Sequence, residues 1–373
     1  YELLDLVAVS IAADIVPITG ENRVLAYYGL MLINKNPRPG LEAVLSHANV
    51  HRVEEEPSTN SEQPQNVLNK EVTISDLVFM IGPRINAAGR LEKASDSVRL
   101  LIAERKEHAE KLASSINDLN VRRREFDNKI TEEALSMIQQ NEKLLNAKST
   151  VIFNENWHKG VIGIVASRLT DSYYRPTIVL TRSNNLITGS ARSIKNFDIY
   201  DAIDNCSDLL EHFGGHKYAA GLSLKPENLE EFARRFEEYV ANNIDNEELI
   251  PELNVDLEIN FSDITPKFVR VLKQFAPFGP GNMAPVFLSR DVVDTGSSRP
   301  VGGQERKHLK LSMAQKDDSN TVLPGIAFQK GGDYQRVNSK EPFSICYCIE
   351  KNFWQGKTNL QLNVKDIKFD FFE

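Results

Sequence analysis

Cysteine is scarce in this 373-residue sequence: Cys206, Cys346 and Cys348 make an odd number with no CxxC pair. Such a count argues against a disulfide framework and a cysteine-type zinc site. Reduced, partly buried thiols in a cytoplasmic protein are the expected state. No run of about 18 apolar residues occurs, so no membrane-spanning helix is expected. Positive charge is not in excess either, since 44 Lys and Arg against 52 Asp and Glu leave a net charge of −8. That balance argues against a chain that coats DNA indiscriminately, and any nucleic-acid contact has to come from local basic patches. P-loop, Rossmann glycine fingerprint, HExxH and GxSxG motifs are all missing. The opening YELLDLVAVSIAADIVPI has no basic leading region. It reads as a buried strand or helix of a domain already under way, and not as a signal peptide.

What is there is the composition of a soluble globular chain, 41% hydrophobic and 26% charged. Its length suggests two to three domains of roughly 150 residues. Residues 1–48 read as an α/β fragment with a turn at Gly20–Asn22. Residues 49–92 combine a polar surface insertion (49–70) with the segment IGPRINAAGRL. From Glu92 to Ala147 there is neither glycine nor proline. Val98, Leu101, Leu112, Ile116, Leu119, Phe126, Ile130, Ala134 and Met137 recur there in steps of three, four or seven. This spacing predicts a long helix over 93–147, on the order of 70 Å if unbroken, plausible as a strut between domains. Residues 148–247 alternate β-rich and helical runs as an α/β domain. Residues 252–373 are β-rich around one helical segment, ITPKFVRVLKQF, as in a small closed barrel of the OB kind.

Several segments carry chemistry. Asp14, in IAADIVPI, is expected at the end of a buried strand, where it must be paired, hydrogen-bonded or bound to metal; a capping or turn aspartate is the alternative. Pro83 is expected to bias Gly82 away from helix, and Arg84, Asn86 and Arg90 then stand beside the small residues Ala87, Ala88 and Gly89. Guanidinium forks suit phosphate oxygens, although a helix-packing segment with solvent arginines fits as well. In GSARS, Ser190 and Arg192 share one face of a strand, either as a phosphate site or as an ordinary exposed edge. HFGGHKYAAG reads as a tight loop in which Gly214 and Gly215 permit close approach of a ligand and His216 donates to phosphate or flanks a metal-bound water. His158 and Lys159 lie at a helix start, a place favourable to anions. Phe353, Trp354 and Lys357 form a hairpin able to stack bases and hold phosphates, or simply to pack a core. Arg122, Arg123 and Arg124 read as a solvated helix face.

Taken together, these segments resemble the RecJ family of the DHH phosphoesterases, in the family's order and over nearly the whole chain. LDLVAVSIAADIVPITGENR resembles its last metal-binding motif, and IGPRINAAGRL a family hallmark. GSARS and FGGHKYAAG resemble the DHH-associated domain, and LKQFAPFGPGNMAPVF with WQGKTNLQLNVKDI the OB domain. The implied architecture is a remnant of a DHH α/β domain, a long connecting helix, a DHH-associated α/β domain and an OB-like barrel. The resemblance implies a 5′→3′ exonuclease on single-stranded DNA, using two divalent ions, manganese or magnesium. Asp14 then matches a metal ligand, Ser190 and Arg192 a 5′-phosphate pocket, and Arg90, ahead of Arg84, a further phosphate contact. His216 falls in a loop facing the metals. A single-strand-binding protein and a helicase are candidate partners. The family's DHH triplet and its other metal ligands are not in this sequence, so an N-terminally truncated, inert fragment is expected. Two other functions stay open: a phosphodiesterase of short oligonucleotides or cyclic dinucleotides, and a non-catalytic single-strand-binding protein.

Overall fold

The computed structural model of the protein describes residues 2–55, 65–354 and 357–369. They divide into two compact units, Tyr1–Gly82 with Leu253–Glu373, and Pro83–Glu252.

The opening stretch, read as a buried strand or helix of an α/β fragment, is helical. Helices α1 (Leu4–Ala13), α2 (Gly20–Lys35) and α3 (Pro39–His47) follow one another. Ala8, Val9, Ile11 and Ala12 are buried, one face of a helix and not alternate residues of a strand. Arg38 grips the buried Asp5 carboxylate with both fork positions, at 2.6 and 2.7 Å, tying α3 to α1. Strands β1 (Arg52–Glu55) and β2 (Gln65–Leu68) pair antiparallel; the middle of the insertion, 56–64, lies outside the described residues. A Thr73–Asp76 capping box starts α4 (Ile74–Asp76), which continues through a π turn (Leu77–Ile81) into α5 (Gly82–Leu91). Gly82 is therefore helical, at φ −51° and ψ −48°, contrary to the expectation from Pro83. The wider turn sits where Pro83 offers no N–H and where its ring would crowd the preceding turn.

In the second unit the stretch without glycine or proline is three helices and not one: α6 (Ala94–Leu101), α7 (Lys106–Gln139) and α8 (Glu142–Asn146). Ser97 Oγ donates to the Ile85 carbonyl at 2.7 Å, holding α6 against α5. Helix α7 has 34 residues, about 51 Å of rise. It is no bare strut, because Ile130, Ala134 and Ile138 share a core with Trp157, Val161 and Val165. Val98 and Phe126, expected in the buried stripe, are exposed. The sheet is built from β3 (Thr150–Phe153), β4 (Thr177–Ser183), β5 (Leu186–Arg192), β6 (Leu210–His216) and β7 (Ala219–Leu224), with α9 (Ile162–Tyr173), α10 (Ile199–Asp204) and α11 (Leu229–Asn243) around it. Its order is β3-β4-β5-β7-β6, parallel only between β3 and β4. Phe232, Phe236 and Val240 of α11, spaced by four, fill a second core with Ala191, Leu222 and Leu224.

The last stretch runs β8 (Leu257–Glu258), α12 (Pro266–Lys273), β9 (Phe287–Asp294), β10 (Arg299–Val301), β11 (His308–Gln315), β12 (Asp318–Ala327), α13 (Tyr334–Val337), β13 (Phe343–Trp354) and β14 (Lys357–Lys368). Strands β9-β11-β12-β14-β13 close on themselves, since β9 pairs with both β11 and β13. This is the expected OB-like barrel, with Leu311, Met313, Tyr347 and Val364 in its core. The barrel joins α2 within the first unit. Arg23 Nη2 donates to the Phe275 carbonyl at 2.9 Å, and the Ile18 N–H to that of Pro280 at 2.6 Å. Among the described residues, no helix is long and apolar enough to cross a membrane.

Candidate nucleic-acid site

Three of the sequence segments meet on one face of the five-stranded sheet. Register puts Arg192 opposite Ala219 and Ala219 opposite His216, and one step along the strands it puts Ser190 opposite Gly221 and Gly221 opposite Gly214. Directly opposed residues point to the same side. Ser190, Arg192 and His216 therefore stand around a floor of Gly214, Gly221 and Ala219. At sheet spacings of about 4.8 Å per strand, the Arg192 and His216 backbones lie roughly 10 Å apart. A Cβ at Gly214 would meet nothing within 4 Å, so the floor is open above. The glycines belong to strand β6, and the tight turn expected there is the Lys217–Tyr218 connection instead. His216 is exposed, and its Nδ1 accepts the Tyr218 N–H at 3.3 Å.

Arg192 is half-buried and donates from Nη1 to Ser190 Oγ at 3.0 Å and to the Ala191 carbonyl at 2.7 Å. The first turn of α9 comes up against this pair at Gly163. A Cβ there would stand 2.9 Å from Ser190 Oγ and 3.1 Å from Arg192 Nη2. Arg90, at the end of α5, reaches the Gly160 carbonyl through Nη1 at 3.3 Å. Burial holds the Arg192 pKa below its ordinary value, and the charge of Arg90 adds to the effect. Arg90 keeps an exposed surface, yet the partial burial of its guanidinium lowers its pKa too, with Asp127 opposing. For Arg84 the causes are burial and then Arg124, while Asn117 Oδ1 accepts its Nε–H at 3.2 Å. Lowered arginine pKa values mean positive charge held at a cost, which an anion would relieve. Asn86 is exposed on α5.

Sequence reasoning missed the charge at the centre of this group. Asp127 of α7 is fully buried. Arg168 Nη2 stands 2.8 Å from its Oδ2, and Arg123 Nη1 stands at 3.8 Å. Among the described residues, both carboxylate oxygens and Arg123 Nε are nevertheless without a partner in hydrogen-bond geometry. Arg123 is accordingly no part of a solvated face. Its pKa is lowered by burial, raised by Asp127 and lowered again by Arg90, Arg124 and Arg168. A clue was available in the sequence: Arg123 and Asp127 are four apart, one helical turn.

Asp14 belongs to the first unit and is not the end of a buried strand. It is the exposed C-cap of α1, its N–H bonded to the Ser10 carbonyl. Ile15 follows at φ +56°, a left-handed position that a β-branched residue adopts only under strain. Among the described residues no group of three or more His, Cys, Asp or Glu could hold a metal ion. The β13–β14 ladder runs to Trp354 opposite Lys357, but the side chains of Phe353, Trp354 and Lys357 lie outside the described residues.

Residues 255–366 match the family model of the RecJ OB domain, and residues 141–242 that of the DHHA1 domain. The single-stranded-DNA-specific exonuclease RecJ of Bacillus subtilis is 34% identical over 369 residues, 98% of this chain and 44% of that protein. The same exonuclease of Haemophilus influenzae is 34% identical over 376 residues, 98% of this chain and 62% of that protein. Among solved structures, RecJ from Thermus thermophilus in complex with Mg2+ superposes at a TM-score of 0.79 and 26% identity, over 99% of this chain and 52% of that one. The corresponding Mn2+ complex gives 0.78. The chain thus spans about half the length of the relatives it matches.

Proposed function

The chain belongs to the RecJ family, and from that membership we propose that it holds the strand in a metal-dependent 5′→3′ exonuclease acting on single-stranded DNA in repair and recombination. The sheet face shared by Ser190, Arg192 and His216, with Arg90 beside Arg192, carries the reading. A terminal phosphate suits it: guanidinium forks and a hydroxyl meet its oxygens, and the open glycine floor leaves room for the sugar. His216 stands across that floor from Arg192, placed to touch the first phosphodiester. A closed OB barrel in the same chain fits a partner that is a strand and not a dinucleotide. In the cytoplasm, where we place the protein, a single-strand-binding protein and a helicase are the candidate partners that present such strands.

The relatives solved with Mg2+ and Mn2+ point to divalent ions as the source of an activated water in the whole enzyme. The residues present here do not by themselves fit two such ions. Asp14 is a single exposed carboxylate, and among the described residues no metal-binding group lies around it. The 373 residues alone therefore bind the strand without cutting it. The test compares the full-length protein with this chain, using Mn2+ and 5′-phosphorylated single-stranded or blunt duplex DNA. Full-length protein should digest the single strand from its 5′ end and lose that activity with Asp14→Ala, while the chain binds without product. Digestion by the chain alone, or full activity in Asp14→Ala, would sink the corresponding assignment. Binding without digestion by the full-length protein would leave a non-catalytic single-strand-binding protein.

A further inference from the structure

Beside the arginine group, a cavity of about 370 Å³ opens between α7 and the loop before α9. Its lining carries three cations, Lys129, Lys159 and Arg182, and no carboxylate, set around Phe126, His158 and the buried Trp157. The Phe126 and His158 rings stack at a centroid distance of 5.7 Å with planes 17° apart. This is an offset pair, too close to admit a third ring between them, so only its outer face is available to a ligand. Phe126 keeps 38% of its surface in solvent, on the helix that also carries Arg123 and Asp127. The neighbouring carboxylates are already engaged. Glu133 accepts the Trp157 indole N–H at 2.8 Å and lies 4.0 Å from Lys129, and Glu155 lies 3.7 Å from Arg182. Lys159 is exposed and makes no ion pair among the described residues.

The cavity adjoins the phosphate face through one loop. Arg90 holds the Gly160 carbonyl at 3.3 Å, and the Gly160 N–H donates to His158 Nδ1 at 3.1 Å. The backbone that seats Arg90 therefore also orients the His158 ring. We propose that the pocket is a base-stacking subsite for one nucleotide of the strand: its base lies on the Phe126–His158 pair, and its phosphate is held by Lys159 with Lys129 and Arg182. An aromatic platform ringed by cations suits single-stranded nucleic acid of any sequence, because every base has a π face. The proposal rests on the arginine face being the 5′-phosphate site, and it adds a position at which a base, not only the backbone, is gripped.

The test measures binding of 5′-phosphorylated oligodeoxythymidylates to the chain by fluorescence anisotropy, with a single abasic residue moved stepwise from the 5′ end. One abasic position should cost the wild-type chain about tenfold in affinity. Phe126→Leu should lose about tenfold on the intact strand and nothing further at that position, and Phe126→Trp should restore both properties. Lys159→Gln should reduce the slope of log affinity against log salt by about 0.7 without moving the sensitive position. Wild-type affinity in Phe126→Leu, equal losses in the Leu and Trp variants, or no abasic position coupled to residue 126 would each overturn the subsite. The parent reading is judged separately. If removing the 5′-phosphate weakens no variant, the arginine face fails while the abasic series still decides the pocket. A chain that binds no strand sinks both.

Discussion

At the scale of single residues, Asp127 shows how the site is held together. Burial raises its pKa above the ordinary carboxylate range, against the pull of Arg168 and Arg123. A carboxyl whose folded pKa is raised contributes more to stability when protonated. Its contribution falls as pH rises from the ordinary carboxylate range through the raised folded value. Burial thus sets a cost on the Asp127 charge, which suits a counter-charge that spaces arginines better than a stabilising ion pair. By the same linkage, Asp127→Asn should gain stability relative to wild type as pH rises from the acidic range to 7 to 8. Urea midpoints across pH check this, and a variant destabilised equally at every pH would show that the carboxylate is structural. The clue in the sequence was weak, because charges four apart on a polar helix usually face solvent. Nothing local says that α7 turns that side toward α9.

Among the elements, α9 and the sheet decide whether the proposed phosphate face exists. Gly163 is the contact point, and alanine there brings opposed effects. The helix gains up to about 1 kcal/mol in propensity, and a Cβ 2.9 Å from Ser190 Oγ pushes the hydroxyl and the Arg192 fork aside. Both displaced groups are flexible side-chain ends, so the fold should tolerate the change. Gly163→Ala should keep its melting temperature within a few degrees of wild type and bind 5′-phosphorylated strand about tenfold more weakly, the loss of one charge-assisted contact. Losing fold and binding together would instead make Gly163 a packing residue. Alternation along GSARS was legible, because a period of two places Ser190 with Arg192 on any strand. The partnership of Arg192 with His216 was not, since it depends on β7 coming to lie between β5 and β6. The π turn before Pro83 was equally hidden, because the rule for residues preceding proline assumes a regular helix.

For the molecule as a whole, a net charge of −8 sits with an affinity for DNA only if binding is local. The order of the segments, the closed barrel and the α/β character of 148–247 were legible, being set by turn residues and alternation within each segment. The first unit was not, because it joins residues 1–82 to 253–373 through Arg23, Ile18 and the 274–280 loop, contacts between sequence-distant groups. The charge argument has a measurable consequence. An arginine face and one cationic pocket would neutralise about three phosphates, so log affinity for single strands should fall with log salt at a slope near −2. Arg192→Lys keeps the charge and loses the fork. It should preserve that slope while removing most of the preference for a 5′-phosphate, whereas Arg192→Gln should lose both. A slope much steeper than −2 would mean that the strand tracks a longer basic path. A flat slope would mean that the acidic surface prevails and the cluster serves the fold alone.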